Sequence, residues 1–294
     1  MLMAFIAIVV TLILVVGIHE AGHAIVARFF HVKIEHIAIG FGRPLLQWQS
    51  RSGIKWIWAL WPLGGSVRLL NTRIAAVPKK FHARCFDKQP VWIRVLILLA
   101  GVIANLILAW CALVLVFSNG IFQRPPVIQS VQEHSIAFDA GLSAGDRIAS
   151  VSGTQIDSWQ GFARSVIIAM GSSKLKLTVL KSTGEVQQHS LNLRNWRIRP
   201  RDKSLLQSIG IQADMQVKKK LKVASSFWES IKEAGSTLWE LMFFLMVMLV
   251  RIISGAIPFS LLLGPLGMLD ATVYSFSQGV SVFALFVASF SLAV

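Results

Sequence analysis

The chain has 294 residues, of which 54% are hydrophobic and only 15% are charged. Soluble domains carry about one-quarter charged residues, so this composition excludes an ordinary soluble protein and indicates membrane spans. The formal net charge is +15, but the sequence has no nucleic-acid motif and its basic residues flank apolar runs. We therefore expect a lipid bilayer, with anionic headgroups, as a partner and no nucleic acid. The two cysteines, Cys85 and Cys111, imply no disulfide framework, because Cys111 lies inside an apolar run.

The first predicted element is a membrane span that begins at the N-terminus. Met1 to Ile18 is apolar apart from Thr11 and has neither a basic start nor a small-residue cleavage pattern, so it is not a typical signal peptide. Eighteen helical residues reach about 27 Å, close to the hydrocarbon thickness of a bilayer. We expect the helix to continue through Arg28.

A basic loop follows the first span. Residues 43–94 contain ten Lys and Arg residues and one acid, Asp87. The positive-inside rule places this loop in the cytoplasm and the N-terminus outside. Within the loop, Leu45–Trp61 and Gly64–Leu70 are predicted strands separated by Pro62 and glycines, and they form a hairpin. Such a hairpin enters a membrane only where protein or a cavity covers its backbone.

The second span is predicted at Val95–Phe117, where the polar residue Asn105 either packs against a neighbouring helix or supports catalysis. Residues 124–217 then read as a soluble domain outside the membrane, with Ser158 as the N-cap of a helix.

The last part of the chain, residues 218–294, is predicted to hold an interfacial helix and the incomplete start of a last span. Only ten uncharged residues separate Glu240 from Arg251, about 15 Å of helix, so we expect an interfacial helix and not a span. A new apolar run from Gly279 to Val294 is the expected start of the last span.

The chemistry of the chain is indicated by the sequence His19-Glu20-Ala21-Gly22-His23. On a helix, residues four apart share a face, so His19 and His23 can bind one metal ion, and neutral imidazole suits Zn²⁺. Glu20 is placed to take a proton from a zinc-bound water, whose pKa is about 7. A chance match is the alternative, but His and Glu are costly at the end of a membrane span and are usually functional there.

Together with these three residues, other motifs resemble the site-2 protease family of intramembrane zinc metalloproteases (peptidase M50). The hairpin resembles the membrane-reentrant β element of that family, and residues 124–217 look like a bacterial PDZ domain. The motifs that carry the resemblance are Gly40-Phe41-Gly42, Trp61-Pro62-Leu63-Gly64-Gly65-Ser66-Val67, Ala100-Gly101-Val102-Ile103-Ala104-Asn105, Ala140-Gly141-Leu142-Ser143-Ala144-Gly145-Asp146-Arg147-Ile148 and Gly264-Pro265-Leu266-Gly267.

The resemblance implies a multi-pass α-helical membrane protein with a membrane-associated β-hairpin and an inserted PDZ-like α+β domain. Residues 1–123 would form the first part of the protease core, residues 124–217 the PDZ-like domain, and residues 218–294 the interfacial helix and the start of the last catalytic span. One departure concerns the third zinc ligand, which the family takes from an aspartate in a Pro-rich Asp-Gly motif. Asp270 does not match that motif, so the third ligand is unassigned, and we expect the chain to be truncated before it.

The function that the resemblance implies is cleavage of a single-span membrane protein, such as an anti-sigma factor, in a bacterial inner membrane. The PDZ-like domain would lie on the periplasmic side and bind a peptide or protein end. The alternative is a truncated, inactive homologue that serves as a membrane-anchored PDZ binding module.

Overall fold

A computed structural model describes residues 2–198, 204–257 and 264–294. The chain begins with one helical segment of 28 residues, Leu2–Phe29. It consists of α1 (Leu2–Leu12), a π-helical turn (Ile13–Gly17) and α2 (Ile18–Phe29). The π-helical turn ends two residues before His19, and such turns are common at functional sites because they shift the register of the residues that follow.

Two further helices match the first in length and apolarity: α3 (Val91–Asn119) and α7 (Phe227–Ile253). Each reaches about 40 Å or more at 1.5 Å per residue, which exceeds the roughly 30 Å hydrocarbon layer. The described residues therefore contain three helices long and apolar enough to cross a membrane.

The loop between the first two of these helices contains a long hairpin of β1 (Ile34–Gln49) and β2 (Lys55–Leu69). The predicted strand Leu45–Trp61 is wrong, because the chain reverses at Gly53, which has φ +82°. There the Ser50 amide donates to the Ile54 carbonyl and the Gly53 amide donates to the Ser50 carbonyl. The predicted break between two strands at Pro62, Gly64 and Gly65 is also wrong, because all three residues lie within β2.

The hairpin folds back on itself, so that the first part of β1 lies between two parts of β2. Residues 36–39 each pair with one residue in 65–68 and with another in 55–58. After the hairpin, the Thr72 amide and hydroxyl donate hydrogen bonds to the Asp87 carboxylate. The Thr72 hydroxyl is the main reason that the pKa of Asp87 is lowered, so the only acid of the basic loop is held ionised.

The region between α3 and α7 is an α+β domain. Its four-stranded sheet has the order β6-β5-β7-β8, and two strand pairs, β4 with β9 and β3 with β10, lie beside it. The strands are β3 (Ile121–Gln123), β4 (Ile128–Val131), β5 (Arg147–Val151), β6 (Thr154–Gln155), β7 (Leu175–Leu180), β8 (Val186–Leu191), β9 (Ile211–Ala213) and β10 (Lys220–Lys222). The helices are α4 (Ile136–Asp139), α5 (Trp159–Ile168) and α6 (Leu205–Ser208).

Local sequence explains how α5 is placed on this sheet. The Ser158 hydroxyl accepts a hydrogen bond from the Gly161 amide, which confirms the predicted N-cap. The alternating residues of β7 and the apolar face of α5 then form the core, in which Phe162, Val166 and Leu177 are almost completely buried. Burying one such side chain stabilises the fold by about 1.5–3 kcal/mol.

The helix α7 is longer than predicted. The expected short element between Glu240 and Arg251 is part of one continuous helix of 27 residues, because charged Glu and Lys side chains do not interrupt a helical backbone. The helix ends where Gly255 adopts φ +72°. The Gly255 amide then donates to the Ile252 carbonyl and the Ala256 amide to the Arg251 carbonyl, the hydrogen bonds of a Schellman cap.

The chain continues as α8 (Pro265–Ser277) and α9 (Val280–Ser291). Residues 258–263 of the predicted interrupted segment lie outside the described residues. The chain divides into two compact units: Met1–Ser118, Phe227–Leu238 and Leu266–Val294 form the first, and Asn119–Ser226 and Trp239–Pro265 form the second.

Candidate metal centre

The structure brings the two motif histidines together on one face of α2. The Nε2 atoms of His19 and His23 are 3.2 Å apart, and the two rings meet edge to face at 81° with centroids 4.9 Å apart. This arrangement follows from the four-residue spacing on a helix. Both rings present the nitrogen that commonly binds metal to the same small volume.

The orientation of His23 is fixed by α3. Its Nδ1 lies 2.7 Å from the Ile97 carbonyl oxygen. Because a carbonyl oxygen only accepts, Nδ1 carries the proton in this hydrogen bond, and Nε2 keeps its lone pair. A carbonyl that fixes the tautomer in this way is the usual support of a metal-binding histidine.

Two glycines allow α2 and α3 to approach closely enough for this contact. A Cβ atom on Gly101 would overlap His23 Nε2 and would lie 2.7 Å from His19 Nε2. A Cβ atom on Gly22 would overlap the Ala100 carbonyl oxygen and would lie 2.7 Å from the Ala104 Cβ atom. Gly101 therefore forms the floor of the space between the two imidazoles, and Gly22 sets the distance between the helices.

Glu20 is held by β2. Its carboxylate is close enough to the backbone of Val67 to interact with it, and a Cβ atom on Gly65 would lie only 2.9 Å from Glu20 Cγ. Gly65 thus lets β2 lie directly against the motif helix. Glu20 is therefore placed next to the histidine pair and against β2.

The two histidines fit a zinc ion. Two nitrogen ligands at about 2.1 Å from a tetrahedral zinc lie about 3.4 Å apart, and the observed Nε2 separation is 3.2 Å. Among the described residues, no group of three or more His, Cys, Asp or Glu side chains is arranged to hold a metal. Asp270, an exposed residue of α8, is therefore not brought to the histidine pair, and the third ligand stays unassigned.

The end of α9 lies next to the same part of α3. The Ser291 hydroxyl donates a hydrogen bond to the Asn105 carbonyl oxygen at 2.9 Å, and both residues are buried. The Asn105 side chain is 1% exposed, and its amide atoms have no hydrogen-bond partner within the described part of the chain. Asn105 lies one helical turn from Gly101, so this polar side chain is close to the histidine pair.

Comparison with known proteins identifies the family. The sequence model of peptidase family M50 matches residues 7–294, which is nearly the whole chain. The chain belongs to peptidase family M50. As an M50 protein with three long apolar helices, it is a membrane protein of the site-2 protease family.

Similar M50 proteins come from several bacteria. The chain is 36% identical to a Vibrio cholerae protein named "Putative zinc metalloprotease" over 212 residues, which are 71% of this chain and 46% of that protein. It is 34% identical to Protease RseP of Yersinia pestis over 206 residues, 70% of this chain and 46% of the relative. Regulator of sigma-E protease RseP of Salmonella typhimurium is 31% identical over 207 residues, with coverage of 70% and 46%. The chain thus spans about half the length of these relatives.

Sequence reasoning missed several residues that shape this M50 site. Gly101 was recognised as a small residue of the second span, but its contact with the histidines depends on how α2 and α3 pack. The Ile97 carbonyl and the Val67 backbone carry no side-chain signal. Ser291 is one of many serines in apolar surroundings, and only the packing of α9 shows its hydrogen bond to α3.

Proposed function

We propose that this chain carries the catalytic core of an intramembrane zinc endopeptidase that cleaves single-span membrane proteins. One observation supports this most strongly: two imidazole Nε2 atoms 3.2 Å apart next to a carboxylate, on a helix apolar enough to cross a bilayer. Imidazole and carboxylate groups are costly in that environment and mark functional sites.

The chemistry follows from the positions of the three motif residues. His19 and His23 hold the zinc ion, which acts as a Lewis acid when bound. Glu20 accepts a proton from the attacking water and returns it to the leaving amine, so that the peptide bond breaks without net change in Glu20. The contact of Glu20 with Gly65 of β2 restricts its side chain, which would reduce the reorganisation needed for proton transfer.

The proposed substrate is the membrane helix of a single-span protein, such as an anti-sigma factor. A helix hides its backbone, so the segment around the scissile bond has to unwind before cleavage. We propose that the unwound segment adds as a strand to the hairpin of β1 and β2, since β2 already lies against Glu20 through Gly65. The domain of residues 124–217, which we propose to be PDZ-like, would receive a peptide or protein end.

The test is proteolysis of a single-span substrate by the purified protein in lipid nanodiscs. We expect the products, identified by mass spectrometry, to end within or beside the apolar segment of the substrate. Cleavage should stop when zinc is removed by a chelator and return when zinc is restored. Cleavage confined to the soluble part of the substrate, or unaffected by chelation, would contradict the proposed function.

The orientation in the membrane is also a proposal. We propose that the basic loop is cytoplasmic and that residues 124–217 are periplasmic, in a bacterial inner membrane. The helix α7 is then proposed to lie on the outer surface, because both of its flanks are attached to the same domain. Lys222 pairs with Asp157 at 3.2 Å before the helix, and at its end Arg251 Nη2 donates to the Met170 carbonyl at 2.7 Å. A helix that crossed the bilayer would place these attachments on opposite sides.

This orientation predicts a labelling pattern. In a variant that lacks Cys111, a membrane-impermeant thiol reagent added from outside should label Thr183→Cys at the tip of the β7–β8 hairpin. It should not label Ser52→Cys at the tip of the β1–β2 hairpin until the cells are opened. Both positions are exposed, so they are matched in access. Labelling of Ser52→Cys in intact cells, with Thr183→Cys protected, would contradict the orientation.

A second candidate function is a membrane-anchored binding module. It is supported by the finding that the described residues hold no group of three or more metal-binding side chains. In that case the purified protein would bind the substrate through residues 124–217 without cleaving it, and the proteolysis experiment above separates the two functions.

A further inference from the structure

One two-stranded ribbon flanks residues 124–217 in the chain. In this neck ribbon, formed by β3 (Ile121–Gln123) and β10 (Lys220–Lys222), Phe122 lies directly opposite Leu221. Gly120 starts the ribbon with φ +80°, and a Cβ atom there would lie 2.9 Å from Leu221 Cδ1. The ribbon therefore begins immediately after α3 ends at Asn119.

The two faces of the neck ribbon differ. On one face Ile121 is buried, and Lys222 pairs with Asp157 of the domain. On the other face Phe122 is 65% exposed and Leu221 is 53% exposed. The apolar residues Met215 and Val223 close to the ribbon in the chain are also at least half exposed. A two-stranded ribbon is marginal in water unless its apolar face is covered.

Position and charge indicate what covers this face. The ribbon begins two residues after a helix of 29 residues that is apolar enough to cross a membrane, so it is at the level of the bilayer surface. Three consecutive exposed lysines, Lys218, Lys219 and Lys220, lead into β10. Aromatic and aliphatic side chains beside lysines are typical of segments that lie in the interfacial layer, where each lysine is attracted by anionic headgroups.

We propose that the neck ribbon is a lipid-binding surface that inserts Phe122 and Leu221 into the interfacial layer of the outer leaflet, with Lys218–Lys220 on anionic phospholipid headgroups. This inference needs α3 to cross the bilayer and does not depend on peptidase activity. The ribbon would then attach the chain to the bilayer surface directly after the end of α3.

Spin-label accessibility of the whole chain in nanodiscs tests the proposal. Labels are placed at Phe122→Cys and Leu221→Cys in a background of Cys85→Ala and Cys111→Ala, with Thr183→Cys on the domain surface as the control. In discs of phosphatidylcholine and phosphatidylglycerol, we expect labels at 122 and 221 to collide with oxygen several-fold more than with an aqueous nickel complex. The label at 183 should show the reverse preference.

The role of the lysines is tested separately. Replacing Lys218, Lys219 and Lys220 with Gln should reduce the protection of label 122 from nickel in discs containing phosphatidylglycerol, and should change little in pure phosphatidylcholine. Labels at 122 and 221 that meet nickel as readily as label 183 would overturn the proposal. So would labels shielded from both oxygen and nickel, since a protein surface, such as a second copy of the chain, would then cover the ribbon. Unchanged circular dichroism of each variant shows that folding is retained.

Discussion

The substitution Glu20→Gln should abolish cleavage of a membrane substrate and leave zinc bound. Glutamine keeps the size of the side chain and its contact with Gly65 of β2, but it does not accept the proton of the attacking water. Removal of a general base typically costs about 10²–10⁴-fold in rate. The rate is measured with a single-span substrate in nanodiscs, and bound zinc is measured on the same samples by atomic absorption.

The matched control for this substitution is Glu35→Gln, which removes a carboxylate from β1 that pairs with Arg68 at 3.2 Å. It changes the charge equally and is expected to leave cleavage nearly unchanged, because partly exposed ion pairs contribute little. Loss of zinc on Glu20→Gln would make Glu20 a ligand and not a base. Cleavage retained at the original rate would remove Glu20 from the mechanism.

Gly101→Ala should weaken zinc binding strongly although it adds one methyl group. The new Cβ atom would overlap His23 Nε2 and lie 2.7 Å from His19 Nε2, so both imidazoles, or the two helices, must move. Changes in the support of metal ligands typically cost roughly 10- to 100-fold in affinity, and we expect at least that loss. Zinc affinity is measured by competition with a chelating indicator.

Val102→Ala provides the control on the same helix, because the Val102 side chain is 46% exposed. It should leave the zinc affinity unchanged. If Gly101→Ala binds zinc as tightly as the unmodified protein, the close approach of α2 and α3 at this point is not part of the metal site. Thermal unfolding of both variants separates loss of zinc from loss of the fold.

The parts of the fold that the sequence predicted are those with a strong local signal. The first two spans are long apolar runs, and the hairpin of β7 and β8 shows alternating residues on both sides of a Gly-containing turn. The first hairpin was misplaced because Pro62 and the adjacent glycines look like a turn, whereas the turn is at Gly53. Gly65 instead allows β2 to lie against Glu20, a tertiary contact that leaves no local pattern.

The chemistry of the candidate site was predictable from the sequence, but the contacts that position its side chains were not. The spacing of His19 and His23 on a helix fixes their shared face from the sequence alone. The hydrogen bond to the Ile97 carbonyl and the role of Gly101 depend on the distance between two helices. The length of α7 was underestimated because charged residues were taken to end an apolar element, although they do not interrupt a helical backbone.

The central claim, that His19 and His23 hold a zinc ion, is tested most directly by zinc titration of single variants. The unmodified protein is compared with His19→Ala, His23→Ala and Asp270→Ala, with bound zinc per chain followed by indicator competition. We predict that either histidine substitution removes most of the zinc binding and that Asp270→Ala leaves it unchanged. Zinc binding that persists in His23→Ala, or that is lost in Asp270→Ala, would contradict this account of the metal site.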